Sequence, residues 1–108
     1  MIALFQYPEA PLTGAHVVEE SVKSRVPVLF PDSTAVESGA LLSYGVNLAH
    51  ELSRAADQVA RLLKGASPAD LPVDQATSYE LAVNQRTAKL LGVVVPPSIL
   101  VRADRLIR

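Results

Sequence analysis

Few side chains in this sequence are of types that do chemistry, and their placement narrows what that chemistry is. The two histidines, His16 and His50, are far apart and fall in separate helical segments. No HExxH, no GxSxG and no glycine-rich phosphate loop occurs. The chain has no cysteine, which removes disulfides, thiolate catalysis and most structural zinc sites, and leaves the redox compartment open. Glu19-Glu20 reads as a solvated helix face. No set of converging groups for a metal or hydrolytic site can be assembled, so the sequence predicts no enzyme and no cofactor.

What remains suits binding. In open α/β sheets ligands bind beyond the carboxyl ends of the strands. Three places qualify: Gln6-Tyr7, Asp32-Ser33-Thr34 and Ser43-Tyr44-Gly45. Ser33 and Thr34 carry hydroxyls where a helix N-terminus offers free N–H groups, a combination that suits a carboxylate. The simpler reading of the same residues is as plain N-caps. Tyr44 can stack on a ligand or hydrogen-bond to it, with Gly45 supplying a bend; the alternative is a core tyrosine beside a structural glycine. Glu37 can meet an α-amino group, or be simply solvated.

The elements that must position these residues follow from patterning. Ile2 to Tyr7 reads as a short buried strand, and Pro8, Pro11 and Gly14 as a loop. A helix is predicted over 15–25, with Thr13 as N-cap and a Glu19–Lys23 pair. A strand over Val26–Phe30 follows, giving a right-handed βαβ unit and a parallel pair. Asp32, Ser33 and Thr34 cap a helical turn over 34–38, and Ala40–Tyr44 is a further strand. From Asn47 to Lys64, Leu48, Leu52, Ala55, Val59 and Leu62 recur at spacings of three and four. That is an amphipathic helix with one side to bury, capped by Asn47 and ended by Gly65. Tyr79, Leu81 and Val83 alternate as in a half-buried strand. Asn84 caps a helix over 85–91, and Pro96-Pro97-Ser98 opens a last helix carrying Ile99, Ala103, Leu106 and Ile107 on one face. The class is α/β, in one unit.

Composition excludes several functions. With 10 basic and 11 acidic residues the net charge is −1, so no basic field attracts nucleic acid. The aromatic residues are not interleaved with Lys or Arg, so no platform for stacking bases exists. No stretch reaches the roughly 20 apolar residues of a membrane span. The N-terminus lacks the basic region and long apolar run of a signal peptide. If Met1 is the true start, the chain is cytoplasmic. Apolar residues make up 49% of the chain, and mean hydropathy is +0.24. That is high for a short chain: either some apolar surface is meant for a partner or a missing domain, or the domain is well packed and rich in Ala, Val and Leu.

Gly39-Ala40-Leu41-Leu42-Ser43-Tyr44-Gly45 resembles the Gly-Gly-Leu-Met-Ser-Tyr-Gly segment of a family of ABC-transporter substrate-binding proteins, some of which bind aromatic amino acids such as tryptophan. The likeness continues in order through Leu63-Lys64-Gly65-Ala66, Pro68-Ala69-Asp70-Leu71-Pro72-Val73, Glu80-Leu81, Asn84, Thr87-Ala88-Lys89, Leu91-Gly92, Pro96-Pro97-Ser98 and Arg102-Ala103-Asp104. It covers 26–108 well and the start less sharply. Ala40 and Leu42 replace the usual Gly and Met, and Asp74 and Ala76 depart from a common Glu and Pro.

The resemblance implies part of a type I periplasmic-binding-protein fold, in which a ligand sits between two α/β lobes joined by hinge crossings. Residues 1–42 would end the second lobe, 43–72 would form a hinge crossing and a first-lobe helix, and 73–108 a returning strand and C-terminal helices. The implied function is solute binding for a bacterial ABC importer, the solute an amino acid or similar small organic molecule. The implied partners are that solute and ABC permease subunits, and the implied place is the periplasm or cell envelope. The ligand-binding set would be Gln6, Tyr7, Asp32, Ser33, Thr34, Glu37, Ser43 and Tyr44, with Gly45 as hinge. The competing expectation is a non-enzymatic interaction module that binds no solute and forms a homodimer through exposed apolar surface.

Overall fold

The computed structural model describes residues 3–4, 11–76 and 78–108. Five strands form one mixed sheet in the order β1-β2-β3-β4-β5. They are β1 (Ala3–Leu4), β2 (Val28–Phe30), β3 (Leu42–Val46), β4 (Tyr79–Asn84) and β5 (Arg105–Ile107). β1, β2 and β3 run parallel, β4 is antiparallel to β3, and β5 is parallel to β4. The helices are α1 (Pro11–Lys23), α2 (Thr34–Glu37), α3 (Leu48–Leu63), α4 (Gln85–Leu91) and α5 (Pro97–Arg102). The chain is therefore α/β, and β1-α1-β2 is the parallel unit that the patterning predicts.

α1 begins earlier than expected. Pro11 lies in its first turn, where a fixed φ suits the helix and a missing N–H costs nothing. Gly14 and Thr13 thus fall inside the helix, and Thr13 is not its cap. The Glu19–Lys23 pair forms at 2.8 Å, and Lys23 also reaches Glu20 at 3.1 Å.

The core lies between the sheet and the short helices. Val18, Val28, Phe30, Val36, Ala40 and Ala82 form one buried cluster, and Leu41, Ala88 and Leu91 a second. β4 departs from the expected alternation, because Ala82, Val83 and Asn84 are all buried. Both faces are covered at that end of the strand, so neither is left to solvent, and the polar Asn84 side chain there is hydrogen-bonded.

The expected last helix stops at Arg102, and Leu106 and Ile107 belong to a strand instead. Asp104 causes the change. Its backbone N–H donates to the Leu81 carbonyl at 2.8 Å, and its carboxylate accepts from the Leu81 N–H at 2.8 Å. The chain is thereby laid along β4, and Leu106 faces Val83 across the ladder.

α3 has the predicted ends. The Asn47 carboxamide oxygen accepts from the His50 N–H at 3.1 Å, and Gly65 follows with a positive φ of 103°. Its expected burial is overturned. No residue of α3 is buried, and Leu48 and Leu52 are both 61% exposed. Its polar side is the one turned to neighbouring chain. Arg54 pairs with Asp74, and the Gln58 amide donates to the Pro72 carbonyl at 3.3 Å. The helix stands away as an arm. The radius of gyration is accordingly 17.2 Å, against about 13 Å for a packed domain of this length.

Candidate functional site

The carboxyl end of β2 runs into Pro31-Asp32-Ser33-Thr34 and then α2. The Asp32 carboxylate accepts from the Thr34 N–H at 3.0 Å and from the Thr34 hydroxyl at 2.7 Å. It is Asp32 that satisfies the start of α2, while Ser33 makes no side-chain cap bond. A negative charge at that end suits the helix dipole.

Beside this turn lies a groove of about 570 Å³. It is lined by Phe30 and Pro31 at the end of β2, by Asp32, Thr34, Ala35 and Ser38 in and around α2, by Val46 and Leu48 on the α3 side, and by Ala15 and Val18 of α1. The lining is mostly apolar with a few hydroxyls and one carboxylate, the usual make-up of a small-molecule site. The position beyond the end of a parallel strand is the one expected for a ligand.

Gly45 sits near the end of β3, opposite Glu80 of β4, shortly before α3. A Cβ there would come within 1.9 Å of the Pro31 carbonyl oxygen. The glycine is needed for this close approach rather than for a positive φ. It lets β3 press against the Pro31 backbone at the floor of the groove.

The other sequence-predicted residues separate. Asp32 and Thr34 line the groove, with Ser33 between them in the same turn. Ser43 is 1% exposed, and its hydroxyl has no hydrogen-bond partner among the described residues. Tyr44 is exposed and is not among the residues that line the groove. It stacks on Tyr79 with ring centroids 5.6 Å apart, a diagonal pair across β3 and β4. The Glu37 carboxylate is taken by Arg105. That contact raises the arginine further above its ordinary value, through the hydrogen bond first and the opposite charge second. Gln6 and Tyr7 lie outside the described residues.

Sequence reasoning passed over Glu80. Its carboxylate accepts from the Asn47 amide at 2.8 Å and lies 3.9 Å from the Arg105 guanidinium. Nothing local marks a glutamate in an alternating strand as the partner of groups so far away in the chain. No cluster of three or more His, Cys, Asp or Glu suited to a metal occurs among the described residues.

A family model described as ABC transporter substrate binding protein matches residues 8–107. The chain belongs to this family. Solved structures agree. A conserved domain protein from Vibrio cholerae is 28% identical with a TM-score of 0.83, over 97% of this chain and 35% of that one. An ABC domain from Streptococcus pneumonia, solved in complex with L-Trp, is 29% identical with a TM-score of 0.82, over 98% of this chain and 36% of that one. A ligand-free, open substrate binding protein with adhesive properties from Clostridium difficile is 24% identical with a TM-score of 0.60, over 89% of this chain and 32% of that one, and shows the fold alone. The chain spans about a third of the length of these structures. The comparison with curated proteins gives no match. No helix among the described residues is long and apolar enough to cross a membrane.

Proposed function

We propose that this chain is the solute-binding component of a bacterial ABC importer, or a piece of one. It takes an amino acid or similar small organic molecule in the groove at the end of β2. The supporting observation is that groove, about 570 Å³ with an apolar floor and polar wall, in a chain of a substrate-binding family. A relative of similar fold was solved with L-Trp. The role needs no bond-making chemistry. Asp32, Ser33 and Thr34 supply polar contacts in the open groove, and Gln6, Tyr7, Glu37, Ser43 and Tyr44 the remainder once the hinge closes and water is expelled. Residues 1–42 form the second-lobe portion, 43–72 the hinge crossing and first-lobe helix, and 73–108 the returning strand and C-terminal elements. The solute would pass to ABC permease subunits outside the cytoplasm.

The test is calorimetric titration with a panel of amino acids, L-tryptophan included. The chain has no tryptophan of its own, so indole emission excited through its tyrosines gives a second readout. Saturable binding of one class, lost in Tyr44→Ala, is expected. No binding across the panel sinks the reading, and unchanged affinity in the variant removes Tyr44 from the site.

One observation favours a second reading, an interaction module that self-associates without solute. The apolar stripe of α3 is uncovered, and contiguous exposed apolar surface of this kind marks an interface. Sedimentation at micromolar concentration separates the two, since a compact monomer excludes the homodimer.

A further inference from the structure

The two walls of the groove are held by one network of side chains. Leu48 closes the groove from the α3 side, and Thr34 and Ser38 close it from the α2 side. Asn47, immediately before Leu48, uses both ends of its carboxamide. The oxygen accepts from the His50 N–H at 3.1 Å and caps α3, while the amide donates to Glu80 at 2.8 Å. Glu80 Oε1 lies 3.9 Å from the Arg105 guanidinium, an ion pair without a hydrogen bond, and Arg105 pairs with Glu37 in the last turn of α2. The order is therefore α3 cap, β4, β5, α2. Packing does little for the α3 end of this chain, because no residue of the helix is buried. The Glu80 side chain is only 16% exposed, so its bond to Asn47 is shielded from solvent and stronger for it.

We propose that Glu80 is the positioning residue of the groove: through Asn47 it sets the angle of α3, and through Arg105 and Glu37 it ties that angle to α2. This rests on the reading of the groove as a solute site, but it concerns geometry that exists without solute. α3 has 16 residues, so it is a lever about 24 Å long, and a rotation of about 15° at Asn47 displaces its far end by about 6 Å. The same rotation carries Leu48 and resizes the groove mouth.

The experiment exploits two properties of the chain. It has no cysteine, so Lys64→Cys and Lys89→Cys place spin labels at the end of α3 and at an exposed position of α4 without background. Asp caps helices as well as Asn does, so Asn47→Asp keeps the α3 cap but sets a carboxylate against Glu80. The labelled parent is expected to give one narrow inter-label distance. Asn47→Asp is expected to shift and broaden it with the circular-dichroism helix signal unchanged. Asn47→Asp with Glu80→Gln is expected to restore the narrow distance, since the new amide donates to the new carboxylate. A distance unchanged in the single variant, or not restored in the double, overturns the proposal. A parent chain that binds no amino acid yet shows these shifts overturns the solute reading and leaves the positioning role in place.

Discussion

α3 and α4 begin and end on the same signals and have opposite fates. Each is capped by an asparagine that accepts a backbone N–H, from His50 in one case and Thr87 in the other. Each is followed by a glycine of positive φ, Gly65 and Gly92. Yet α4 buries Thr87, Ala88 and Leu91, while α3 buries nothing. The two caps differ in the same way. Asn84 is 5% exposed, and its amide donates to the Val36 carbonyl at 3.0 Å, stitching α4 to α2. Asn47 is only partly buried and reaches Glu80. Local signals make a helix; they do not say which side of it meets protein. That depends on which surfaces lie within reach, and among the described residues those met by α3 beyond Leu48 are polar.

The sharpest way to break this contrast is to cut apolar side chains in the two regions. Phe30→Ala in the core is expected to lose about 3–5 kcal/mol of stability. Leu52→Ala on the arm is expected to change it by no more than about 0.5 kcal/mol. Urea unfolding of the two variants checks both, and equal losses would mean that α3 is covered in solution.

A smaller effect separates the caps. Asn84→Ala removes the α4 cap and the buried bond to the Val36 carbonyl, which keeps the Gly39 N–H as a donor, so a loss of about 2 kcal/mol is expected. Asn47→Ala is expected to lose about 1–2 kcal/mol, the cap together with the donor to a Glu80 carboxylate that solvent can partly reach. Thermal unfolding followed by circular dichroism ranks them.

The smallest effect concerns the exposed pair on α1. Lys23 holds the Glu19 carboxyl below its usual range, by a hydrogen bond first and by charge second. A lowered folded value stabilises the fold above the unfolded carboxylate range and loses that contribution as pH falls through the folded value. Glu19 and Glu20 in turn raise Lys23, so its share is present at neutral pH and lost as pH rises through the raised value. Lys23→Met is expected to be marginally less stable than the parent at neutral pH and equal to it in acid. Both groups are solvent-exposed, and added salt is expected to erase the difference.

Much of the body was legible because its signals are local. The βαβ order, the two asparagine caps, the Glu19–Lys23 pair and the stopping glycines depend on residues a few positions apart, where backbone geometry and side-chain reach decide the outcome. The start of α1 was misplaced because Pro11 reads as a loop marker until it is known to occupy a first turn. The last helix was overextended because Leu106 and Ile107 fit either period, and only pairing with β4 chooses between them. The turn at Asp32-Ser33-Thr34 was located correctly as a place. That Asp32 rather than Ser33 serves the helix start needed the geometry.

The sequence alone determined the family likeness, the α/β class, the elements and their caps, and the absence of cysteine. It also determined that α3 has an apolar face, since period and composition are properties of the chain. Only tertiary structure decided where that face points, that Gly45 makes room for the Pro31 carbonyl, and that Glu80 joins Asn47 to Arg105. These are meetings of residues distant in the chain, and they exist only once the sheet has set β3 beside β4 and β4 beside β5.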